Sequence, residues 1–161
     1  MGKRKKKKVQ PGLLVENRRA RHDYEILDEY EAGVSLLGSE VKSIRDGKAS
    51  LAEAFCSFAG DELYLVQAHI AEYVQAHARN HDPLRKRKLL MHRHQLDDLR
   101  DRVKLQGVTL VPLSMYVKDR RIKLALGVGK GRKLHDKRQS IKAKDQKREM
   151  ERAKREARDS R

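Results

Sequence analysis

The densest group of reactive side chains lies in 127-GVGKGRKLHDKR-138, where glycines alternate with cations around a histidine and an aspartate. A phosphate loop of the G-x-x-x-x-G-K-[ST] type needs a hydroxyl after its lysine to hold Mg²⁺, and a glycine five places before its second glycine. Here Gly129-Lys130 is followed by Gly131 and Arg132, and Leu124 stands where the first glycine belongs. The stretch fails on both counts. Among the seven histidines, His77 and His81 are four apart and His92 and His94 two apart. Neither pair has the cysteines or nearby carboxylates that complete a four-ligand zinc site, so they read as surface histidines. Cys56 alternates with apolar neighbours and reads as a buried small apolar side chain, not a nucleophile. Asp97-Asp98 reads as a solvated helix face, and Glu29 with Glu31 forms no spaced acid and base. No catalytic residue, metal or cofactor is expected; the chemistry on offer is that of charge.

The elements that position these charges read as mainly β. In 24-YEILDEYEAGVSLLG-38, Tyr24, Ile26 and Val34, Leu36 alternate on either side of Glu31-Ala32-Gly33, which predicts strand, tight connection, strand. The stretch 39-SEVKSIRDG-47 predicts one short helix with Ser39 as N-cap, Val41 and Ile44 on one face, and Gly47 as a left-handed stop. Gly60-Asp61, between two alternating runs of 54-AFCSFAGDELYLVQAHI-70, predicts a hairpin. Residues 76–87 are polar and basic, broken at Asp82-Pro83. A helix over 93–106 aligns Leu96, Leu99 and Val103 and stops at Gly107. A last hairpin joins 108-VTLVPLSMYV-117 to 122-IKLALGV-128 through the charged turn 118–121, with Ile122, Leu124 and Leu126 facing one way. Pro112 marks an edge or a bulge, since it cannot donate to a ladder. About six short strands and two helices, without β-α-β alternation, point to a small curled or closed antiparallel barrel.

The chain's 161 residues suit one domain, and 39 Lys and Arg against 23 Asp and Glu give a net charge of +16. Residues 1–8 carry six positive charges and no negative one, and residues 135–161 carry a net +5 with few apolar side chains. The organisation expected is a disordered basic arm (1–12), a barrel (13–132) and a basic tail (133–161). The tail is expected to be disordered when free, with latent helical pairs such as Glu151–Arg155. Such a field attracts polyanions, and nucleic acid is the default partner. No apolar run approaches the ~20 residues of a membrane span, no apolar stretch follows the basic start as in a secretory signal, and a single cysteine suits a reducing cytosol. A cytoplasmic protein, monomeric when free, is expected. Aromatic residues are few, which favours a folded nucleic acid held by its backbone geometry over base-by-base stacking. A basic structural protein of the ribosome shares this charge layout and is the alternative.

Several blocks, in order, carry a closer likeness: 17-NRRARHDYEI-26, 31-EAGVSLLGSEVKSIRDGKASL-51, 82-DPLRKRKLL-90, 107-GVTLVPLSMYVKDRRIKLALGVGKGRKLHDKR-138 and the charged tail. Over residues 13–161 the chain resembles the bacterial SsrA-binding protein (small protein B) family. The resemblance implies a barrel of six antiparallel strands of the oligonucleotide-binding (OB) kind, with two to three flanking helices. It also implies binding to the tRNA-like domain of transfer-messenger RNA (tmRNA) and delivery of that RNA to stalled 70S ribosomes for trans-translation, with no catalysis by the protein. Elongation factor Tu with GTP and alanyl-tRNA synthetase would act through the same RNA.

Carried over by position, the RNA-contacting set is Asn17, Arg19, Arg21, His22, Tyr24, Glu31, Glu40, Lys42, Arg45, Lys48, Arg85, Arg87, Lys88 and Leu90, joined by Lys130, Arg132 and Lys133. Glu31 is open to two readings: an acceptor for base amino groups or 2′-hydroxyls that also orients a neighbouring cation, or a charge beside a turn. Ser39, Met91 and His92 depart from the family pattern. The resemblance makes Gly127–Gly131 a flexible exit from the barrel. His135, Asp136, Lys137 and Arg138 would begin a tail that enters the empty mRNA channel and decoding centre, where His135 either stacks on a base or spaces the cations.

Overall fold

In a computed structural model, residues 12–132 and Met150 are described. The chain order is β1 (Leu13–Glu16), α1 (Ala20–Asp23), β2 (Tyr24–Val34), α2 (Gly38–Arg45), β3 (Ala49–Ser50), β4 (Phe55–Ala59), β5 (Glu62–Val66) and β6 (His69–Ile70). A 3-10 turn (Val74–Arg79), β7 (Arg87–Leu90), α3 (Arg93–Val103), β8 (Val108–Lys118) and β9 (Arg121–Gly131) follow. Six strands close a ring in the order β8-β4-β5-β7-β2-β9 and back to β8, every pairing antiparallel. β1 adds to β8 outside the ring, and β3 pairs with β6 in a separate ribbon. The expected OB-like barrel is what forms.

β8 and β9 hold the ring together because they are buried on both faces. Val108, Leu110, Leu124, Leu126 and Val128 join the main core, whereas Val111, Leu113 and Ala125 face a smaller cluster beneath Ala20 of α1. After Pro112 the register to β9 slips, so Met115 returns to the main core and Tyr116 to the smaller one. Pro112 thus sits at a bulge, in a strand flanked by β9 and β1 rather than at an edge. A second bulge in β2, around Leu27, turns Tyr24 and Ile26 to the small cluster but Tyr30, Ala32 and Val34 to the main core.

Three expectations are overturned here. No turn interrupts 31–33: Glu31, Ala32 and Gly33 pair in register with Ala125, Leu124 and Lys123 inside one continuous β2. Gly33 is required by close approach, since a Cβ there would lie 3.2 Å from Leu90 Cβ on β7. The sixth ring strand is therefore β7, which begins at Arg87, the last residue of the stretch read as polar, and runs through residues to which no element had been assigned. Gly127–Gly131 is no flexible exit either; it pairs with both β2 and β8. Side chains on Gly127 and Gly129 would sit about 3.1 Å from Leu113 and Tyr24, so these glycines make room for neighbouring strands. Finally, Ser39 does not cap α2: the N-cap is Leu37, whose amide donates to Glu40 Oε2 at 2.7 Å.

His81, read as a surface histidine, is buried, and other local signals hold. Gly60 turns the β4–β5 hairpin at φ 58°, Gly47 ends α2 at φ 73°, and α3 buries Leu96 and Leu99 while Val103 is exposed. The β8–β9 turn narrows to Asp119-Arg120, both left-handed at φ 49° and 61°. No helix among the described residues is long and apolar enough to cross a membrane.

Candidate nucleic-acid interface

β2 runs between two groups of the residues singled out above, one at each end of a strand path of roughly 30 Å at ~3.3 Å per residue. At its start lie α1, Tyr24 and the end of β9, where Gly131 pairs with Tyr24 and Lys130 with Glu25. Most cations there already have partners. Arg19 donates to Glu53 at 3.1 Å, Arg21 to Glu29 at 2.8 Å, and His22 Nδ1 lies 3.0 Å from Asp23. Among the described residues, Lys130 and Arg132 have no ion-pair partner, and the Arg132 amide donates to the Asp23 carbonyl. Asn17 is inside: its amide nitrogen donates to the Leu51 and Pro112 carbonyls, and its oxygen accepts from the Ala20 amide. It pins α1 to the barrel, and its side chain has no free group facing solvent.

At the far end of β2, a cleft of about 400 Å³ opens between α2, β7 and the β8–β9 turn. Val34, Leu36, Val41, Leu90 and Ile122 give it apolar walls, and Arg45, Arg120, Arg121 and Lys123 surround them with positive charge. Arg45, Arg120 and Arg121 have no carboxylate within salt-bridge distance among the described residues. Glu31 does not line the cleft but reaches it through Lys123. It accepts from the Tyr116 hydroxyl at 2.7 Å and from Lys118 Nζ at 2.8 Å, with Lys123 Nζ at 3.9 Å. The hydrogen bonds from Lys118 and Tyr116 hold its carboxyl below the usual carboxylate range, while burial and Glu31 push the Tyr116 phenol up. With no turn at 31–33, the turn-side reading of Glu31 falls away, and the acid lies in mid-strand orienting lysines.

Behind the cleft, Glu40 and Arg87 are fully buried as a pair, which places two residues of the expected RNA set in the interior. Arg87 Nε donates to Glu40 at 2.8 Å, and its other nitrogens donate to the carbonyls of Ala68, Arg85 and Pro83. Arg85 adds a forked contact to Glu40 at 2.6 and 3.2 Å. Burial pushes the Glu40 carboxyl up, but donors from Arg85, the Leu37 amide and Arg87 outweigh it and hold the group below its ordinary value. These residues fasten α2 to β7, the elements that carry Arg45 and Leu90. His81 adds a second fastener, its Nδ1 2.9 Å from Ser39 Oγ and its Nε2 donating to the Ile70 carbonyl at 3.0 Å. Lys42 lies over the Tyr73 ring, Lys48 is exposed, and Lys88 pairs with Glu62.

The surface of α3, by contrast, is neutralised. On α3, Arg93 pairs with Asp61 and Asp97, Arg100 with Asp61, Arg102 with Asp28 and Asp98, and Lys104 with Asp101. The field of the barrel is therefore lopsided, with uncompensated cations at the cleft and at the end of β9. Sequence reasoning missed Arg120, Arg121, Lys118, Lys123 and Tyr116. The sign was the charged turn 118–121, whose hairpin register sets where those cations project. Lys133, His135, Asp136, Lys137 and Arg138, like the arm 1–11, lie outside the described residues. Cys56 is buried, and burial pushes its thiol far up; no three metal-ligating side chains converge among the described residues.

A closed six-stranded antiparallel ring with a one-sided cationic cleft defines a polyanion-binding barrel of the oligonucleotide-binding class. The SmpB protein family model matches residues 14–156, and the chain belongs to that family. An SsrA-binding protein of Staphylococcus haemolyticus is 47% identical over 92% of this chain and 96% of its own length. That of Chloroflexus aurantiacus is 48% identical over 92% of this chain and 93% of its own. A chain in the solved structure "tmRNA-SmpB: a journey to the center of the bacterial ribosome" is similar at 50% identity and a TM-score of 0.64, covering 78% of this chain and 87% of that one.

Proposed function

We propose that this protein binds the tRNA-like domain of tmRNA and delivers it to stalled ribosomes for trans-translation, without performing chemistry itself. The observation that carries the reading is the lopsided charge: arginines around one cleft lack acidic partners, whereas those of α3 are matched. A polyanion gains most where cations are not already satisfied. The identity of that polyanion follows from family membership and from the relatives' name and ribosomal setting. Glu40, Arg85 and Arg87 serve by holding the cleft's elements, and Arg45, Lys42, Lys48, Leu90 and the β8–β9 turn meet the RNA. Residues 1–12, 13–132 and 133–161 act as arm, barrel and tail; the tail enters the mRNA channel near the decoding centre. Elongation factor Tu and alanyl-tRNA synthetase engage the same RNA, in the cytoplasm.

Crosslinking and sequencing of RNA bound in cells tests this. Recovery dominated by tmRNA supports it, whereas ribosomal RNA alone, with co-purification on subunits at high salt, would establish the structural-protein alternative.

A further inference from the structure

We infer that Glu29 and Glu53 set selectivity among RNAs: they hold Arg21 and Arg19 in ion pairs, so that the α1 end does not grip every polyanion that meets it. The inference rests on the RNA-binding reading above and adds to it how unsuitable RNA is turned away. Each basic side chain of 18-RRARH-22 has a carboxylate partner. Arg18 Nε lies 3.6 Å from Glu16, Arg19 lies 3.1 Å from Glu53 and 3.4 Å from Asp23, Arg21 lies 2.8 Å from Glu29, and His22 Nδ1 lies 3.0 Å from Asp23. Two of these acids are brought in from elsewhere. Glu29 sits on β2, 8 residues beyond Arg21, and Glu53 sits in the turn before β4, 34 residues beyond Arg19. A segment that looks like a bare cationic stripe in the sequence is folded into a matched one.

These pairs contribute little to stability. The side chains of Arg21 and Glu29 are 49% and 44% exposed, and those of Arg19 and Glu53 67% and 76%. Pairs so open to water barely offset the entropy of holding two long side chains together. Their effect is on charge. An unmatched guanidinium attracts any phosphate and releases counterions when it meets one. A guanidinium beside a carboxylate presents a dipole, and an arriving phosphate is repelled by the acid unless it displaces it. RNA seated on the unmatched arginines Arg45, Arg120 and Arg121 is held without α1, so masking α1 costs it little. A generic duplex, held by charge alone, loses a foothold. Selectivity is a difference of affinities, and acids placed against the wrong ligand widen it.

Titration of the full chain across a range of salt, with the tRNA-like fragment of tmRNA and with an unrelated RNA duplex, tests this. Glu29→Gln with Glu53→Gln should steepen the duplex's slope of log affinity against log salt by ~0.9–1.8, the lower bound applying if Asp23 keeps Arg19 matched. Over a fourfold drop in salt, duplex affinity should then rise about threefold to tenfold more than the parent's, while affinity for the fragment changes less than about threefold. Asp97→Asn adds one charge, as Glu29→Gln does, but leaves Arg93 paired with Asp61, and should keep the parent's slope on both RNAs. Adding Arg19→Gln and Arg21→Gln to the double variant should return the duplex slope to the parent's. Acids that merely fastened α1 would instead lower the melting temperature when removed, with no gain in affinity. If the double variant binds the duplex no better than Asp97→Asn does, or the fragment gains as much as the duplex, the inference is wrong and the RNA-binding reading stands. If the parent does not bind the fragment at all, both fail together.

Discussion

Removing Arg87 should cost more than any surface substitution on this barrel. In Arg87→Met the Glu40 carboxylate keeps Arg85 but loses its fully buried cation, and the carbonyls of Ala68, Arg85 and Pro83 lose an arginine donor, Pro83 keeping the Ile70 amide. Breaking a buried pair by deleting one partner costs ~3–5 kcal/mol, because a charge is left uncompensated away from water. At a urea m-value of ~2 kcal/mol/M, a loss of ~4 kcal/mol lowers the unfolding midpoint by ~2 M. Glu40→Leu should be comparably damaging from the other side. The double variant should be less destabilised than the sum of the two by ~2 kcal/mol or more, since neither charge is then stranded. Glu40 also gives a pH signature. Its folded carboxyl titrates below the ordinary value of 4.5, so its stabilising contribution is complete above about pH 4.5 and is lost as pH falls through the folded value. Glu40→Gln should abolish that acid-side loss. An Arg87→Met midpoint within ~0.5 M of the parent, or single effects that simply add, would refute the claim that this pair holds α2 to β7.

Arg120→Gly should raise stability by ~1 kcal/mol, because its backbone is left-handed, yet weaken RNA binding; Asp119→Gly should stabilise similarly without loss of affinity. Gel-shift titration beside urea unfolding separates the two effects. Arg120→Ala with Arg121→Ala should shallow the slope of log affinity against log salt by ~1.4–1.8, whereas Arg93→Ala, whose charge is already paired with Asp61 and Asp97, should leave it unchanged. Gly129→Ala should destabilise by ~1–3 kcal/mol, since the new methyl meets Tyr24 Cβ at 3.1 Å; unfolding midpoints check it. Truncation after Leu134 should leave RNA affinity nearly intact while abolishing tagging in a translation assay.

Alternation and turn chemistry made the β4–β5 hairpin and both longer helices legible in the sequence, because each buries one face and ends at a glycine; the β8–β9 hairpin, buried on both faces, was legible from its two apolar runs and the charged turn between them. β7 was not legible. In 87-RKLL-90 the inward positions are Arg87 and Leu89, and a charge facing the core defeats any count of apolar residues. Its partner Glu40 stands 47 residues away, so nothing local announces that the charge is matched. The supposed turn at 31–33 failed for a related reason: Gly33 answers to Leu90 across the sheet, a constraint that only the fold supplies. For the site, the sequence displays how many cations there are but not which ones are already matched. Arg102 and Arg120 look alike on paper, and only the structure shows the first spent on Asp28 and Asp98, and the second without such a partner among the described residues.

The unbroken run of β2 sets a length scale. Its rungs to β9 extend from Gly33, beside the cleft, to Tyr24, where the Arg132 amide is tied to the Asp23 carbonyl and the chain leaves the barrel. Those rungs are all main-chain, so substitutions change what is gripped or what is touched but not the offset between the two. The barrel is a ruler: whatever is seated at the cleft lies at a set distance from the point where the polypeptide passes Arg132.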